Sequence, residues 1–399
     1  MKITLSTIIL FVIFFAPNAS NAQNLTYVDI AQAKFEKKNA EEIFKDFEVI
    51  PLETHKKALL IAKSATYYLT DKYIIGMNFL GPAYLFDRKT GAFIREISSQ
   101  GRGPDEYTGL LYHRYGFDEE NNILFAEDAG SSKSWKCINI ITNRVESNIK
   151  KPLSEDNSEN FSIYAPWFIK DDIYVSFWNN RTGKDKTRLI VYDKKGTLIK
   201  KYPNYLEYNA DGMRSYPFSP GIFYYYNGLT YFKEMSYNDT VFSVNERNMH
   251  PHIIFKLGDK QPSYYHRNNV DYNKGKYFIN FVCESNSTIL FNFFCYTETV
   301  EFSGSERYKN ESFLTGYYDK KSKQVFVSST PDFKDSGYTV SGIPVRFHPM
   351  YINKNNEMIT KIDPEELVKH KDQIGSKYKN LFKDIQEDDN PIVVIAKLK

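Results

Sequence analysis

The chain has 399 residues, of which 31 are Tyr and 30 are Phe, so these two types supply nearly all of the 16% aromatic content. The 52 basic and 49 acidic residues leave a net charge of only +3, which is too balanced for a surface built mainly to hold nucleic acid or anionic lipid. With 42% hydrophobic and 25% charged residues, the composition excludes a disordered, fibrous or polytopic membrane protein and favours strands, in which aromatic residues are enriched.

Residues 1–22 have the layout of a secretory signal peptide. Lys2 precedes a nearly unbroken apolar run over residues 3–15, and Ser20-Asn21-Ala22 supplies a small-x-small cleavage site. The alternative, a membrane anchor, would need about 20 apolar residues to span a bilayer. No cysteine lies near the cleavage site, which argues against a lipoprotein. We therefore expect an exported chain, periplasmic or at the cell surface, with an N-terminal extension over residues 23–45 and no transmembrane segment in the mature chain.

From residue 47 onward, short runs of aromatic and β-branched residues alternate with turn residues at intervals of about 8–12 residues. This spacing is typical of a β-sandwich, barrel or propeller. The runs group into sets of four, which indicates a repeated unit. The first three sets cover residues 61–69, 73–79, 83–87 and 92–98, then 110–117, 123–127, 135–141 and 145–150, then 161–169, 173–178, 188–192 and 198–202.

Two further sets of four follow, and the last set is incomplete. They cover residues 221–226, 230–235, 241–244 and 252–257, then 276–284, 289–296, 313–318 and 324–328, then only 345–352, 358–362 and 392–398. Residues 47–52 can supply the missing strand, which would close the ring and remove an exposed sheet edge. The sequence therefore predicts an all-β fold, a six-bladed β-propeller of four-stranded antiparallel blades over residues 46–399, closed by an N-terminal strand.

The third run of several units ends in a shared turn pattern. Residues 84–91 and 189–196 both place an apolar strand before Asp, basic residues and Gly, and residues 316–321 look similar. Gly supplies a positive φ and Asp accepts hydrogen bonds from the backbone two residues on, which predicts a tight hairpin. We favour this turn over the alternative, an Asp that binds a metal.

Residues 47–54, 84–91 and 100–107, with the terminal run 390–397, resemble the six-bladed β-propeller family of secreted Bacteroidetes proteins. That family is similar in fold to NHL and TolB-like propellers. The most specific part is Gly-Arg-Gly-Pro-Asp-Glu-Tyr at residues 101–107, and the resemblance spans most of the mature chain. Many relatives are lipoproteins, whereas this sequence lacks the lipid-acceptor cysteine. The resemblance implies an architecture more than an activity.

Residues 364–386 are a predicted helical insertion between the second and third strands of the last blade. Asp363 is a good N-cap and Pro364 suits the first turn, while Gly375 interrupts the segment. The apolar residues after Gly375 recur at helical spacing and need a buried face. We therefore favour a packed surface decoration over a mobile lid.

The three cysteines, Cys137, Cys283 and Cys295, are too few for a disulfide framework and lie in apolar, strand-like runs. A turn near residues 285–288 would place Cys283 opposite a residue near Leu290. We therefore expect small buried side chains without a disulfide.

Metal ligands and catalytic motifs are scarce. His250 and His252 lie two residues apart and could share a strand face, but no obvious third ligand accompanies them, so we favour an ordinary surface strand and predict no metal site. The sequence contains no G-x-S-x-G elbow, H-E-x-x-H pair or P-loop. These features favour a protein without catalytic activity.

The connections divide by length between the two faces of a propeller. Those joining strands one to two and three to four form the short-loop face, at residues 70–71, 88–91, 170–172, 227–228 and 245–248. The others form the long-loop face, at residues 100–108, 151–160, 179–187, 203–220, 258–275 and 297–311 and the helical insertion. Binding groups collect on long loops of a rigid scaffold, so we predict that the long-loop face binds a ligand.

Arg, aromatic and polar residues on this face suit carboxylate recognition, sugar stacking or a protein hot spot. The candidate ligand-binding residues in the connections are Arg102, Asp105, Glu106, Tyr107, Trp178, Arg181, Arg214, Tyr216 and His266. The innermost strands add His113, Arg114, Arg346 and His348 near the channel. For residues 101–107 we favour the alternative, a rigid Gly-Pro turn whose Glu and Tyr tie blades together.

These features predict an exported, monomeric, non-catalytic protein that binds a carbohydrate, a peptide or an envelope protein, and no nucleic acid. The alternative is a calcium-dependent hydrolase or lyase resembling six-bladed lactonases, in which carboxylate and Asn groups converge on a channel metal. The innermost strands offer few acidic candidates for it. A purely structural envelope component is a third hypothesis.

Overall fold

The structure, a computed structural model, describes residues 25–61, 65–78, 81–101, 103–107, 115–127, 133–152, 163–209, 221–234, 236–267, 269–302 and 305–399. Within these ranges, six antiparallel sheets of four strands are arranged as blades around a central channel. The predicted six-bladed β-propeller is therefore confirmed. Two of the blades also carry a fifth, parallel strand.

The first strands lie along the outside of the ring. β1 (Thr26–Asp29) pairs in parallel with the outermost strand of the fourth blade, and β2 (Lys34–Phe35) with the outermost strand of the fifth. We call residues 25–43 the N-terminal belt. Because paired edges no longer offer free backbone groups to other chains, the belt protects two of the sheet edges.

Blades 1 to 3 follow β3 (Phe44–Pro51) in chain order. Blade 1 contains β4 to β7, at Thr66–Leu69, Tyr73–Met77, Ala83–Asp87 and Phe93–Ile97, and a parallel pair follows it, β8 and β9, at Ser99–Gln100 and Glu106–Tyr107. Blade 2 contains β10 to β13, at Tyr115–Asp118, Ile123–Glu127, Ser134–Asn139 and Arg144–Lys150. Blade 3 contains β14 to β17, at Trp167–Lys170, Ile173–Phe177, Thr187–Asp193 and Leu198–Pro203.

Blades 4 to 6 complete the ring. Blade 4 contains β18 to β21, at Gly221–Tyr226, Leu229–Glu234, Thr240–Val244 and Met249–Lys256. Blade 5 contains β22 to β25, at Tyr277–Glu284, Thr288–Phe302, Ser305–Asp319 and Gln324–Val327. Blade 6 contains β26 to β28, at Tyr351–Ile352, Glu357–Ile362 and Ile392–Leu398, with β3 as its fourth strand. Pro51 lies opposite Ile392, which confirms the predicted closure by an N-terminal strand.

The prediction of an irregular loop over residues 297–311 was wrong. β23 and β24 continue as one long hairpin, in which Val300 pairs with Arg307 and Phe302 with Ser305. Thr, Val and Phe recur in the first half of this segment, and such residues favour extended backbone. Once two antiparallel strands are in register, each further residue pair can add ladder hydrogen bonds, so the hairpin extends beyond the blade.

The first strands of blades 3 and 6 are shorter than predicted. Within the described part of the predicted run 161–169, which starts at residue 163, the strand begins only at Trp167, after an isolated bridge between Ile163 and Trp178. Residues 161 and 162 lie outside the described residues. The predicted run 345–352 is a strand only at Tyr351–Ile352, because Phe347 pairs instead with Tyr338 in an isolated bridge.

The helices are short and few in the described chain. They are α1 (Val270–Asn273), α2 (Pro364–Lys369) and α3 (Ser376–Lys379), with 3-10 turns at Ile30–Gln32, Ala40–Glu42, Gly258–Lys260 and Lys371–Gln373. Asp363 caps α2 by accepting a hydrogen bond from the Glu365 amide at 3.1 Å, and Gly375 separates α2 from α3. Leu367 and Tyr378 are buried in the hydrophobic cluster of blades 5 and 6, so the insertion is a packed decoration, as predicted.

Hydrophobic side chains fill the spaces between neighbouring blades. Between blades 1 and 2, for example, Ile75 and Leu85 pack with Leu124 and Ile138. The N-terminal belt contributes to the cluster of blades 4 and 5 through Val28, which is fully buried. Burial of such side chains contributes about 1.5–3 kcal/mol each, so the inter-blade clusters are the main stabilising element.

The short-loop face has the predicted hairpin turns. Asp87 Oδ1 accepts hydrogen bonds from the Lys89 and Thr90 amides at 3.0 and 2.9 Å, and Asp193 and Asp319 make equivalent bonds. Gly91 has a φ of 73°, where glycine has no steric penalty. These aspartates are therefore turn residues, as predicted.

The cysteines are free and buried. Cys283 lies opposite Leu290, as predicted, and Cys295 lies opposite Tyr277. Burial raises the pKa of the Cys137 thiol to about 11, so this group stays protonated and unreactive near neutral pH.

Candidate functional site

The central channel holds a cavity of about 340 Å³ at its long-loop end. The first strand of every blade runs from the long-loop face to the short-loop face, and most lining residues lie at or near the starts of these strands. All six blades contribute to the lining. Eight of the lining residues are aromatic, namely Tyr67, Tyr68, Tyr164, Trp167, Phe223, Phe281, Phe313 and Tyr351.

The polar groups of the cavity wall are few. None of the described lining residues has a charged side chain. The indole nitrogen of Trp167 and Oδ1 of Asn280 are buried, and neither has a hydrogen-bond partner in the described part of the chain. A buried polar group without a partner costs about 1–3 kcal/mol.

A hydrogen-bonded chain lies behind one wall of the cavity. Thr315 Oγ1 donates to Asn292 Oδ1 at 2.9 Å and lies 2.6 Å from His348 Nδ1. Asn292 Nδ2 donates in turn to the Pro349 carbonyl at 2.6 Å. Burial lowers the pKa of His348 to about 4, so the imidazole is neutral at neutral pH. His348 therefore holds the Asn292 amide in place through Thr315.

Aromatic rings line the channel on the short-loop side of the cavity. Tyr68 contacts Tyr351 and Phe117, with ring centroids 4.9 and 5.4 Å apart. Trp167 contacts Tyr225 at 4.8 Å. Rings at these separations attract one another by about 0.5–1.5 kcal/mol beyond their burial. The floor of the cavity is therefore a layer of mutually packed rings.

Glu119 lies beneath this layer, after the first strand of blade 2. Its carboxyl accepts hydrogen bonds from the Tyr351 hydroxyl and, at 2.8 Å, from the Lys354 amide. Burial raises the pKa of Glu119 to about 8, so the carboxyl is largely protonated at neutral pH. Glu119 thus links a lining residue of the cavity to the short-loop face.

An ion pair joins blades 1 and 6 at the short-loop face. Arg88 donates to both carboxylate oxygens of Glu357, at 2.8 and 3.0 Å, and to Glu48 at 2.7 Å. Arg88 follows the turn residue Asp87, so the hairpin turn aims its side chain at the neighbouring blade. A two-point Arg–carboxylate contact adds geometric specificity to the charge attraction.

A second buried group lies at the junction of blades 4 and 5. Glu284 is 2% exposed and binds Lys320 Nζ and His252 Nε2, at 2.6 and 2.7 Å. The ladder between β20 and β21 shifts register beside His252, and His250 is exposed while His252 is buried, so the two imidazoles do not share an environment. In the described ranges, no group of three or more His, Cys, Asp or Glu side chains could hold a metal ion.

The 101–107 element is built into the scaffold. Glu106 Oε2 accepts a hydrogen bond from the Gly103 amide at 2.6 Å, and a Cβ at Gly101 would collide with the same carboxylate. The hydroxyl of Tyr107, which is fully buried, accepts from the Ala83 amide at 3.1 Å. Asp105 Oδ1 accepts from the Val145 amide at 3.3 Å. Tyr107 and Asp105 therefore tie the element to blades 1 and 2, and Glu106 holds the turn of the element together.

The other described candidates lie in different environments. Trp178 is 6% exposed and packs in the cluster between blades 2 and 3. The Arg181 carbonyl accepts from the Tyr208 hydroxyl at 3.0 Å. His266 stacks on Tyr272 with ring centroids 3.9 Å apart. Arg346 donates to a backbone carbonyl at 3.0 Å.

None of these candidates lines the cavity, although His348 lies directly behind it. Five further candidates, Arg102, His113, Arg114, Arg214 and Tyr216, lie outside the described residues. Sequence reasoning assigned most of the aromatic excess to the core and missed the eight aromatic lining residues. A usable signal was present, because aromatic residues recur in or just before the first run of several blades.

The residues surrounding Arg188 form a cluster at the long-loop side of blades 3 and 4. Arg188 donates to Glu234 and Asn204, both at 2.9 Å, and all three residues are buried. Lys233 is fully buried and donates to three backbone carbonyls, including that of Ile279 in blade 5 at 3.3 Å. These charged side chains hold adjacent blades together, and none lines the cavity.

Two solved structures share this architecture. One is described as a "Putative exported protein" from Bacteroides fragilis NCTC 9343; it is 16% identical, with a TM-score of 0.64, over 94% of this chain and 100% of that one. The other, a member of the DUF4221 family from Bacteroides vulgatus ATCC 8482, is 10% identical, with a TM-score of 0.55, over 90% and 97%. At these identities the likeness concerns the fold alone.

No curated protein matches the sequence. No helix of the described chain is long and apolar enough to cross a membrane. A family model described as "Domain of unknown function (DUF4934)" matches residues 25–397, which includes the N-terminal belt and all six blades. The chain therefore belongs to the DUF4934 family.

Proposed function

We propose that this protein is an exported, non-catalytic binding protein that takes a carbohydrate into the aromatic cavity of its channel. The observation that supports this is the composition of the wall, in which flat rings stand beside uncharged polar groups. Sugars have apolar C–H faces that cover aromatic rings and hydroxyls that both donate and accept hydrogen bonds. Ligand sites of this kind are mostly apolar, with a few polar groups that fix orientation.

Tryptophan fluorescence tests this proposal. The chain has three Trp residues, and Trp167 lines the cavity, whereas Trp135 and Trp178 are buried between blades. Titration with a panel of neutral oligosaccharides should change the emission of the wild-type protein. The response should be lost in Trp167→Phe and kept in the control Trp178→Phe. A saccharide response that persists in Trp167→Phe would place binding elsewhere.

A peptide or an envelope protein is the other class of ligand for the long-loop face. A peptide has backbone amides along its length and commonly binds by adding a strand to a sheet edge, which a closed channel does not offer. The same fluorescence titration with a peptide library distinguishes the two classes. Saturable binding of peptides, without any saccharide response, would replace the carbohydrate proposal.

The second candidate function is that of a calcium-dependent hydrolase or lyase, similar to lactonase-like propellers. It needs oxygen ligands that converge on a metal in the channel. Among the described lining residues, only uncharged oxygens are present. A rise in melting temperature on calcium titration would favour this alternative, because a ligand that binds only the folded state stabilises it.

The proposal includes export of a monomer to the periplasm or cell surface, after removal of a signal peptide over residues 1–22. We also propose an N-terminal extension over residues 23–45, a propeller over residues 46–399 and a relationship to NHL or TolB-like propellers. The similar Bacteroides fragilis structure, described as an exported protein, supports the export. N-terminal sequencing of the protein from an envelope fraction should begin at Gln23, and retention of Met1 would contradict the signal peptide.

A further inference from the structure

Three connections of the long-loop face converge on Arg267. This residue lies between blades 4 and 5 and is 7% exposed. Its guanidinium carbon lies 4.4, 5.4 and 5.5 Å from the ring centroids of Tyr208, Tyr237 and Tyr264. We call these three residues the tyrosine cage. A cation over aromatic faces is attracted by about 0.5–2 kcal/mol per ring, more when the cation is desolvated.

The cage is rigid because each tyrosine hydroxyl bonds a group other than the guanidinium. Tyr208 donates to the Asn180 carbonyl at 2.8 Å, and Tyr264 donates to Glu234 Oε1 at 3.2 Å. Tyr237 donates to the Arg267 carbonyl at 2.9 Å, which fixes the backbone of Arg267 itself. The position of the guanidinium is therefore set by its surroundings.

Arg188, in the neighbouring cluster, is a useful comparison. Its guanidinium also lies over a ring, that of Phe242 at 5.5 Å, but it donates to Glu234 and Asn204 as well. Among the residues that the structure describes, none accepts a hydrogen bond from the side chain of Arg267. Rings cannot satisfy the five in-plane N–H donors of a guanidinium, so an acceptor in the plane of the Arg267 guanidinium would stabilise this nearly buried charge.

Glu234, the carboxylate that Tyr264 of the cage contacts, is already engaged because it also binds Arg188. The surface beside Arg267 is aromatic. Tyr265 and Tyr272 are 55% and 54% exposed, and His266 stacks on Tyr272 with the rings inclined by only 7°. A ligand at this place would meet a preorganised cation next to flat, solvent-facing rings.

We infer that Arg267 and the tyrosine cage form a subsite for an oxyanion, the carboxylate or sulfate group of an acidic carbohydrate. The oxyanion accepts two parallel hydrogen bonds from the guanidinium, the geometry for which Arg is best suited. The exposed rings beside it cover the sugar that bears the charged group. This inference rests on the proposed carbohydrate binding and adds the charge of the ligand to it.

The test is calorimetric titration at constant ionic strength with glucuronate, glucose 6-sulfate and neutral glucose. The wild type should bind one or both acidic probes at least tenfold more tightly than glucose, and the better probe identifies the charged group. Arg267→Gln should weaken the acidic probes at least tenfold and leave glucose unchanged. Arg144→Gln removes an exposed positive charge from blade 2 and should change nothing. If both variants bind the acidic probes equally weakly, the loss reflects the net charge of the protein, and the subsite proposal is overturned.

If Arg267→Gln does not fold, two measurements on the wild-type protein still test the inference. A selenate soak of wild-type crystals, followed by anomalous scattering, should show a peak beside the Arg267 guanidinium. Selenate bound only elsewhere, or no binding of any acidic probe by the wild type, would overturn the inference. The proposed function fails separately, because neutral oligosaccharides are detected through Trp167 in the cavity, and Arg267→Gln should not affect that response.

Discussion

At the short-loop face, Arg88 of blade 1 bridges Glu357 and Glu48 of blade 6. Glu284 of blade 5 likewise contacts His252 of blade 4, so polar and charged side chains join neighbouring blades. At the long-loop end, rings and uncharged polar groups surround a cavity. The same strands form both ends, because each strand runs from one face of the propeller to the other. The ion pair that closes the ring between blades 1 and 6 lies at the short-loop face, and the cluster that joins blades at the long-loop side, around Arg188, does not line the cavity. The difference teaches that the contacts between blades leave the cavity wall to rings and uncharged groups, which can serve a ligand.

The largest loss of stability is expected from a substitution at the short-loop face. Arg88→Met leaves Glu357 and Glu48 without their cation, and the loss of charged hydrogen bonds in a partly buried ion pair costs about 1.5–3 kcal/mol. Urea unfolding should show this loss in the free energy of unfolding. The matched control is Lys186→Met, which removes an exposed pair with Glu207 and should cost at most about 1 kcal/mol. Equal losses in the two variants would contradict the role of Arg88.

Glu119, near the short-loop face, differs from the carboxylates that form ion pairs there. Burial raises its pKa to about 8, and no cation binds it in the described structure. The folded chain therefore keeps a proton that the unfolded chain loses near its ordinary pKa. The contribution of Glu119 to stability is therefore greatest below about pH 4.5 and is lost as the pH rises through 8. Because one pKa unit corresponds to about 1.4 kcal/mol, the loss should exceed about 1 kcal/mol. Unfolding curves of Glu119→Gln should lack this component, and parallel pH profiles for variant and wild type would contradict it.

In the cavity at the long-loop end of the channel, substitutions should change ligand affinity more than stability. Phe223→Leu keeps an apolar side chain but removes a ring that stacks on Trp167. We expect about fivefold weaker binding of a cavity ligand, equivalent to about 1 kcal/mol, and a stability change below about 1.5 kcal/mol. Calorimetric titration and urea unfolding of the same preparation measure both. A loss of stability without a loss of affinity would show that Phe223 is a core residue.

The smallest effect concerns a single turn of the short-loop face. Asn139 Oδ1 accepts hydrogen bonds from the Ile141 and Thr142 amides at 2.7 and 3.1 Å. Asn139→Ala should cost about 1 kcal/mol, the usual net contribution of such bonds. The control Thr142→Ala alters an exposed side chain of the same turn and should be neutral. Thermal unfolding of both variants is sufficient, and equal melting temperatures would contradict the turn's contribution.

Local signals made the architecture predictable from the sequence. Asp87 and Gly91 define a turn through their own backbone preferences, and the unpaired run at residues 47–52 had one edge left to join. The N-terminal belt could not be placed in this way. β1 and β2 are short, pair in parallel with strands hundreds of residues away, and have no adjoining turn that identifies a partner.

The candidate site was less predictable, because a strand pattern does not show which aromatic residues face a channel. Tyr67 and Tyr68 are neighbours and both border the cavity, yet the Tyr67 side chain is fully buried between blades 1 and 6, whereas Tyr68 packs on the cavity floor. Trp178 is of a residue type that is common in ligand sites, but its side chain packs between two blades. Arg267 was indistinguishable from other loop arginines until three tyrosines from separate connections were seen to surround it.

The seam between β3 and β28 has a kinetic consequence. Its two strands come from opposite ends of the sequence, so the seam is the longest-range contact of the sheet and its formation requires nearly the whole chain. Contacts of such high sequence separation slow folding, because the entropy of loop closure is lost before the contacts form. Until then blade 6 has an open edge, the kind of surface through which chains aggregate. We therefore expect the capture of β28 by β3 to be a late step of folding, and one at which aggregation rises with chain concentration.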